Sequence, residues 1–387
     1  MDTEASGVLL DATSIPATQG GVARFIIGLL AGLEATGTRI TVVAKRSDLP
    51  ALSAAAPGHR YIVAPASVSI RPLRLLWEQV GLPALARRQG CTVIHSPHYT
   101  FPLISGAASV VTLHDATFFS SPEAHSRLKG AFFRTWIRLA ATRATRLVAV
   151  SRATADEIST FVPRVASPIA VAYLGVDPVV FSPPAPAAVR EVRKSMGLSI
   201  DQPYVAFLGT MEPRKNIPAL IAAHATLRAE NPSETPVLVL SGARGWDAAA
   251  NDALDEIAAQ PVAERSVIEA GYLPLDLLSA FLGGAELVAY PSLGEGFGLP
   301  VLEAMSSGTA VLTTRRLAIP EVGGEAVAYS EPDTASLTTA LRELLADDGR
   351  RAALAAYGLA RSRQFTWAEC ARVYADSYAA ATGAVSR

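Results

Sequence analysis

Residues 287–308 read LVAYPSLGEGFGLPVLEAMSSG, a short apolar run, a glycine-rich loop and then a segment with helical spacing. The run Leu287–Tyr290 is stopped by Pro291 and so has the length and boundary of a buried strand. Pro300 is well placed to begin a helix that continues to Ser307. Gly294, Gly296 and Gly298 let bare backbone N–H groups approach whatever lies beside the loop. Glu295 falls in this loop, expected to be flexible, and Glu303 in the expected first turn of the helix, with seven residues between them. One carboxylate can therefore accept from sugar hydroxyls and the other from ribose hydroxyls of one bound molecule, while the helix N-terminus faces its phosphates. A glycine turn with a capping glutamate of purely structural purpose is the plain alternative.

Working outward, the same strand–loop–helix order occurs upstream. Tyr204–Leu208 reads as a strand and is followed by GTMEPRKN, residues 209–216. Gly209 allows a tight turn, and Arg214 and Lys215 set two cations at the strand's carboxyl end, beside a helix start expected to be capped by Asn216. A guanidinium and an ammonium in that place suit a diphosphate; a solvated turn with two surface cations is the alternative. Further strands are expected at Val237–Leu240, Val267–Ala270 and Ala310–Thr313, with helices at Pro218–Ala229, Asp247–Ala259 and Leu275–Leu282.

The first half carries the same alternation. Strands are expected at Val8–Leu10, Ile40–Val43, Thr92–His95, Val110–Leu113 and Leu147–Val150, with helices at Val22–Ala35 and around Ala131–Ala144. Strands alternating with helices make an α/β protein with two doubly wound parallel sheets, in which ligands lie beyond the strands' carboxyl ends. At 387 residues, half of them hydrophobic, the chain suits two domains. The break from Ile169 to Ala187, with prolines at 183, 184 and 186, marks the boundary. This gives a Rossmann-like domain over 1–178, a second over 179–365, and a C-terminal helix over 366–387 that crosses back to the first. Residues 1–175 carry 17 Lys and Arg against 10 Asp and Glu, a net +7, and the remainder 17 against 25, a net −8. The basic half favours an anionic partner, although its charges are too dispersed for nucleic acid. Cys91 and Cys370 fit neither a disulfide framework nor a metal site, and the acidic start (Asp2, Glu4) lacks the order of a signal peptide. A cytoplasmic protein is expected.

His114 and Asp115 follow the strand Val110–Leu113 directly and so also project beyond a strand end. A lone histidine is more often a packing residue than a functional one. His95, His98 and Tyr99 end the preceding strand and are candidates to line an acceptor pocket.

PSLGEGFGLPVLEAMSSG with GTMEPRKN upstream closely resembles the retaining glycosyltransferases of family four, which have the GT-B fold. GGV at 20–22, HD at 114–115, SRATADEI at 151–158, GVD at 175–177 and GYLP at 271–274 also match, in order along nearly the whole chain. The resemblance implies two Rossmann-like domains facing across a cleft, the second binding a nucleotide sugar. It implies that Arg214 and Lys215 bind the diphosphate and that Glu303 holds the ribose. Glu295 with the backbone of Gly296, Phe297, Gly298 and Leu299 would hold the transferred sugar and its phosphates. Tyr272 and Leu273 would meet the nucleobase through main chain, and His114 would lie at the reacting centre. Gly20 and Gly21 would let the first helix approach the phosphates or the acceptor.

Other enzyme classes on related folds lack their signatures here. Gly-x-Gly-x-x-Gly between first strand and helix is missing, as is Gly-x-x-x-x-Gly-Lys-Ser/Thr. No Asp-x-Asp is present to hold a catalytic metal, so metal-independent transfer with no cofactor beyond the nucleotide sugar is expected. A sugar-nucleotide 2-epimerase on the same fold and a non-catalytic sugar-binding scaffold are the rivals. VLLDATSIPATQGGVARFIIGLL and the text at Leu113–Phe119 look most like bacterial mannosyltransferases of envelope polysaccharides, which favours GDP-mannose over UDP-sugars. If Ala131–Ala144 is helical and its turn extends back to Arg127, then Arg127, Arg134 and Arg138 form one stripe. Phe132, Trp136 and Leu139 then face the core, and Lys129 precedes the helix. Such a stripe suits anionic headgroups at the inner face of the cell membrane or, more plainly, is a solvated helix face.

Overall fold

Because each short apolar run is followed by a helix that carries the chain back across the sheet, successive strands enter from the same side. Every strand pairing is accordingly parallel. The computed structural model describes residues 7–16, 20–122, 125–261 and 264–385. The chain divides into two units, Met1–Gly175 with Phe365–Arg387, and Val176–Gln364.

In the first unit the strands are β1 (Val8–Asp11), β2 (Thr41–Ala44), β3 (Arg60–Val63), β4 (Val93–Ser96), β5 (Ala108–Leu113), β6 (Arg146–Ala149) and β7 (Ile169–Val171). They lie in the order β3-β2-β1-β4-β5-β6-β7. Helices α1 (Gly21–Ala35), α2 (Leu49–Ala55), α3 (Arg71–Arg88), α4 (Thr117–Ser120), α5 (Arg127–Arg143) and α6 (Arg152–Phe161) connect them. The order reverses between β1 and β4, the switch point at which crossovers leave for opposite faces and open a crevice.

The second unit begins with α7 (Pro186–Ser195). Its strands are β8 (Tyr204–Leu208), β9 (Val237–Ser241), β10 (Val267–Gly271), β11 (Leu287–Tyr290), β12 (Val311–Thr313) and β13 (Ala328–Tyr329), ordered β10-β9-β8-β11-β12-β13. Between and after them run α8 (Ile217–Glu230), α9 (Ala248–Ala258), α10 (Leu275–Gly283), α11 (Leu299–Ser306), α12 (Ile319–Gly323), α13 (Thr334–Ala346) and α14 (Asp348–Ser362). Here the switch point falls between β8 and β11, the two strands whose following loops are GTMEPRKN and PSLGEGFG.

The last helix, α15 (Trp367–Val385), packs in the first unit against α1 and the sheet. Its docking is both apolar and polar. Tyr378 OH meets His95 Nδ1 at 2.8 Å, Tyr374 OH meets Thr112 Oγ1 at 2.9 Å, and that hydroxyl meets His95 Nε2 at 2.9 Å. His95 is therefore wholly occupied inside the core, and burial holds its imidazole neutral. It does not line a pocket, contrary to expectation.

Several expected details differ. The helix expected from Ala131 begins at Arg127, because Ser126 caps it by accepting from Lys129 N. Lys129 thus lies inside the helix. Asn216 stands at the start of α8 in a left-handed conformation, but its side chain donates to Pro332 O at 2.7 Å instead of capping. Because α11 starts at Leu299, Glu303 belongs to its second turn. Glycine at position 32 is a matter of space: a Cβ there would lie 2.1 Å from the backbone oxygen of Trp367. Gly32→Ala is expected to cost about 1–3 kcal/mol through displacement of α15. Urea unfolding should show this loss, while Gly106→Ala, whose Cβ would meet nothing within 4 Å, should unfold like the parent.

Candidate functional site

The two loops flanking the second unit's switch point meet in one ion cluster. After β8 the chain makes a tight turn, Pro213–Lys215, that sends Arg214 and Lys215 toward the loop after β11. Leu293 N donates to Arg214 O at 2.7 Å, and Ser292 Oγ lies 3.0 Å from the same oxygen, tying one loop to the other. Glu295 is the common acceptor. Its Oε1 accepts from Lys215 Nζ at 2.7 Å, Tyr290 OH at 2.9 Å and Ser292 Oγ at 2.6 Å, and its Oε2 accepts from Arg214 NH1. Arg214 also donates to Glu212 through Nε at 3.0 Å and to Gly294 O at 3.1 Å.

Lys215 and Glu295 are each 6% exposed, so their pairing is only weakly screened by water. Burial alone would raise the Glu295 carboxyl, but Arg214 and Lys215 outweigh it and hold it at about 2. Burial and the neighbouring Arg214 lower the Lys215 ammonium, with Glu295 opposing them. The expected flexible glutamate is thus a buried counter-ion fixed by four donors, and together with Glu212 it balances the two cations that the resemblance assigns to the diphosphate.

Beyond Glu295 the backbone rises to α11 through Gly298, whose φ of +103° is open to glycine and strained for other residues. Phe297 and Leu299 are buried beneath this turn, and Gly296 lies between Glu295 and Phe297 on the same loop. Glu303 is buried on the helix. At the end of β10, Leu273 is buried while Tyr272 is 54% exposed. Two strand spacings, about 10 Å, separate β10 from β8. Trp246, 46% exposed in the loop after β9, stands between them in sheet order and was not singled out from sequence. Tyr290 and Ser292 were also missed as site residues. Their signal was position alone, at a strand end beside Glu295.

In the first unit, His114 and Asp115 follow β5. His114 Nε2 lies 2.7 Å from Pro97 O, and a carbonyl only accepts, so Nε2 carries the proton and Nδ1 is the ring's acceptor. Burial lowers the His114 pKa, with Pro97 O and Asp115 opposing. Its ring meets Phe25 edge-on at 5.0 Å and faces His98 and Tyr99 at 6.1 and 6.2 Å. Tyr99 OH accepts from Asp115 N at 3.1 Å, while Asp115 Oδ1 accepts from Thr117 N and Oγ1 at 3.1 and 2.7 Å. One Asp115 oxygen is therefore committed to shaping its own turn. Gly20 caps α1 and Gly21 begins it, and a Cβ at either would meet nothing within 4 Å. Among the described residues, packing does not demand glycine at either place.

The arginine stripe on α5 is placed differently from expectation. The buried face is Gly130, Ile137, Ala140 and Ala141, with Phe133, Trp136 and Leu139 partly buried on the same core. At 100° per residue this face lies about a quarter turn from the arginines, so the stripe runs along the helix flank. Arg134 NH1 donates to Phe118 O at 2.9 Å, and Arg138 lies over the Phe119 ring at 5.0 Å. Arg127 is exposed. The outward apolar row is on α3 instead: Ile70 at its N-cap, then Leu73, Leu76 and Val80, with exposed Arg87 and Arg88 two turns further on at the helix end. Among the described residues no helix is long and apolar enough to cross a membrane.

Comparison with known proteins matches residues 19–180 to the Glycosyltransferase Family 4 model and residues 189–361 to Glycosyl transferases group 1. O-antigen chain mannosyltransferase B of Escherichia coli is 32% identical over 287 residues, 74% of each chain. D-inositol 3-phosphate glycosyltransferase of Xylanimonas cellulosilytica is 34% identical over 244 residues, 61% of this chain and 57% of that one. Among solved structures, Anabaena HepE in complex with UDP and glucose superposes with a TM-score of 0.75 at 19% identity, over 97% of this chain and 99% of that one. WaaG, a glycosyltransferase involved in lipopolysaccharide biosynthesis, gives 0.71 at 17% identity, over 96% and 99%.

The ion cluster separates the two glutamates. Glu295→Gln removes the internal counter-ion of Arg214 and Lys215, so calorimetry with GDP and with UDP should show affinity no weaker than that of the parent chain. Glu303→Gln should weaken it. The Glu295 carboxyl is lowered from 4.5 to about 2, so its contribution to stability is present above pH 4.5 and lost as pH falls through about 2. Acid unfolding of Glu295→Gln should lack that component.

Proposed function

Since the chain belongs to Glycosyltransferase Family 4, we propose that it transfers a hexose, mannose in preference to glucose, from a nucleoside diphosphate sugar to a glycan or glycolipid acceptor with retention of anomeric configuration. The observation that carries this is the Arg214–Lys215–Glu295 cluster at the switch point between β8 and β11. The name of the Escherichia coli relative favours GDP-mannose and bacterial envelope polysaccharide, while the UDP of the HepE complex keeps UDP-sugars open.

In this reading the diphosphate replaces Glu295 as counter-ion of Arg214 and Lys215, and Glu295 turns to the hydroxyls of the transferred sugar. Glu303 accepts from the ribose, and Tyr272 and Leu273 border the nucleobase. As the bond between anomeric carbon and diphosphate breaks, the two cations and the loop N–H groups take up the charge that develops on the leaving oxygen. The acceptor oxygen forms its bond on the face the diphosphate leaves, and its proton passes to the departing phosphate. Charge on the leaving group is balanced by side chains, so the step needs neither metal nor cofactor. In the first unit we assign His114 to the reacting centre: with Nε2–H fixed on Pro97 O, Nδ1 can accept from a sugar hydroxyl. His98, Tyr99 and Asp115 are assigned to the acceptor side.

We place the enzyme in the cytoplasm, at the inner face of the membrane. The support is the apolar row of α3 with the arginines at that helix's end, which complement an anionic lipid surface at about 1 kcal/mol each.

Arg214→Ala and Lys215→Ala should each weaken nucleoside diphosphate binding by about ten- to hundredfold, one charge-assisted contact. A thermal-shift panel of GDP-mannose, UDP-glucose and related donors should single out one nucleotide, with slow release of nucleoside diphosphate from that donor alone. Binding without release or transfer would leave a scaffold and overturn the enzyme. The chain should also sediment with anionic but not neutral vesicles at low salt. Leu76→Ser with Val80→Ser should abolish this, whereas Arg127, Arg134 and Arg138 all changed to Ser should reduce it only modestly. A parent chain that ignores anionic vesicles removes the membrane surface.

A further inference from the structure

The first unit buries a second ion cluster, at its own switch point, that the transfer step leaves unused. Asp11 ends β1, Arg74 and Glu78 lie one turn apart on α3, and Thr100 is in the loop after β4. Arg74 NH1 is 3.6 Å from Asp11 Oδ2, and NH2 is 3.1 Å from Glu78 Oε2. Thr100 Oγ1 donates to the same Glu78 oxygen at 2.7 Å and accepts from Arg74 NH2 at 3.2 Å. Thr13 N and Oγ1 donate to Asp11 Oδ1 at 2.9 and 2.6 Å. Gln79 extends the grip, donating to Phe101 O and accepting from Leu103 N, both at 3.0 Å.

Asp11 and Glu78 are 2% and 1% exposed. Apolar side chains of similar volume would hold α3 on the sheet without the desolvation cost of two carboxylates and a guanidinium. What the polar set does, and an apolar one would not, is fix the direction of the loop after β4. That loop supplies Pro97 O to His114 Nε2 and Tyr99 OH to Asp115 N, and it sets His98 against the His114 ring. One end of the loop is thus held by α3, while the other holds the two residues that follow β5.

We propose that Arg74 and Glu78 are positioning residues, which through Thr100 set the loop 97–101 and thereby the orientation of His114 and Asp115. This rests on the assignment of His114 to the reacting centre of a glycosyltransferase. Neither residue touches substrate; both act through the loop.

The cluster is titratable near neutrality. Burial pushes the Glu78 carboxyl up to about 7, with Arg74 and Thr100 opposing and Asp11 adding to the rise. Burial also raises Asp11, against Arg74, Thr13 and Lys45. Glu78 is faced by Arg74 from its own helix, Asp11 from β1 and Thr100 from the loop, while Lys45, just beyond β2, faces Asp11. Ionised Glu78 accepts from both Arg74 and Thr100; the protonated acid gives up its ion pair and loosens the loop. The stability linkage runs the other way. A carboxyl raised from 4.5 to about 7 costs folding stability as pH rises through that window. Positioning and stability therefore move in opposite directions with pH.

The test uses the full chain with isotope-labelled histidine, following the His114 ring nitrogens by NMR from pH 5.5 to 8.5 in the parent and in Glu78→Gln. The parent should show a component with a midpoint near 7 that Glu78→Gln lacks. The donor selected by thermal shift should be hydrolysed about tenfold more slowly below that midpoint, with its KM unchanged, and Glu78→Gln should flatten this limb. If Glu78→Gln does not fold, Thr100→Val carries the same expectation, since it keeps the ion pair and deletes the link to the loop. An identical pH course of the His114 signal in parent and folded variant overturns the positioning role. The NMR arm needs no substrate, so failure to hydrolyse any nucleotide sugar would count against the transferase and leave the positioning to be decided on its own.

Discussion

A parallel sheet that reverses its order has one place where neighbouring strands send their crossovers to opposite faces, and there no helix covers the strand ends. Both units of this chain have such a place, between β1 and β4 and between β8 and β11. Both fill it with buried charge. In the second unit the two flanking loops are joined by Arg214, Lys215 and Glu295; in the first, Asp11 and the loop after β4 are joined through Arg74 and Glu78. The topology leaves a gap in the packing, and the sequence puts ionic groups where the backbone cannot close it.

The two clusters differ in composition. The second unit pairs two cations, Arg214 and Lys215, with two carboxylates, Glu295 and Glu212, beside a helix start. In the reading proposed above, an incoming diphosphate exchanges for Glu295 at cations that are already paired. The first unit has two carboxylates sharing one guanidinium, sealed from solvent, where burial favours their protonated forms. Their oxygens are taken by Thr13, Thr100 and Arg74. In the reading proposed above, the same topological feature serves as a ligand site in one unit and an internal brace in the other.

Much of this was legible in the sequence, for physical reasons that also explain the gaps. Strands of the second unit buried on both faces, such as β8 and β11, are continuous apolar runs and were placed without error. Strand β3 is half exposed and β13 has two residues, so neither leaves a clear run. Helix α3 was missed because Gly81 and Pro83 interrupt its pattern, although Glu78, Leu82 and Ala86, four apart, form its buried edge. A glutamate on an apolar edge was the signal for the brace. The individual members of the second unit's ion cluster were visible as charged residues after strands. That Glu295 spends its hydrogen bonds on Arg214 and Lys215 was not, since the pairing depends on two loops about eighty residues apart being adjacent in the sheet.

The C-terminal helix shows why unit membership cannot be read from chain order. α15 carries Tyr374 and Tyr378 at helical spacing, which by itself marks only a buried face. Their hydroxyls need partners once buried. His95 on β4 and Thr112 on β5 supply the partners, and each of the four groups satisfies another. A histidine expected from sequence to line a pocket is instead the hub of that set. The distinction lies in its neighbours: His95 lies within a strand and points into the sheet's covered face, whereas His114 is one residue past its strand, where the covering stops. In the register of the sheet His95 is level with Val110, so His114 stands four positions further along, beyond the strand.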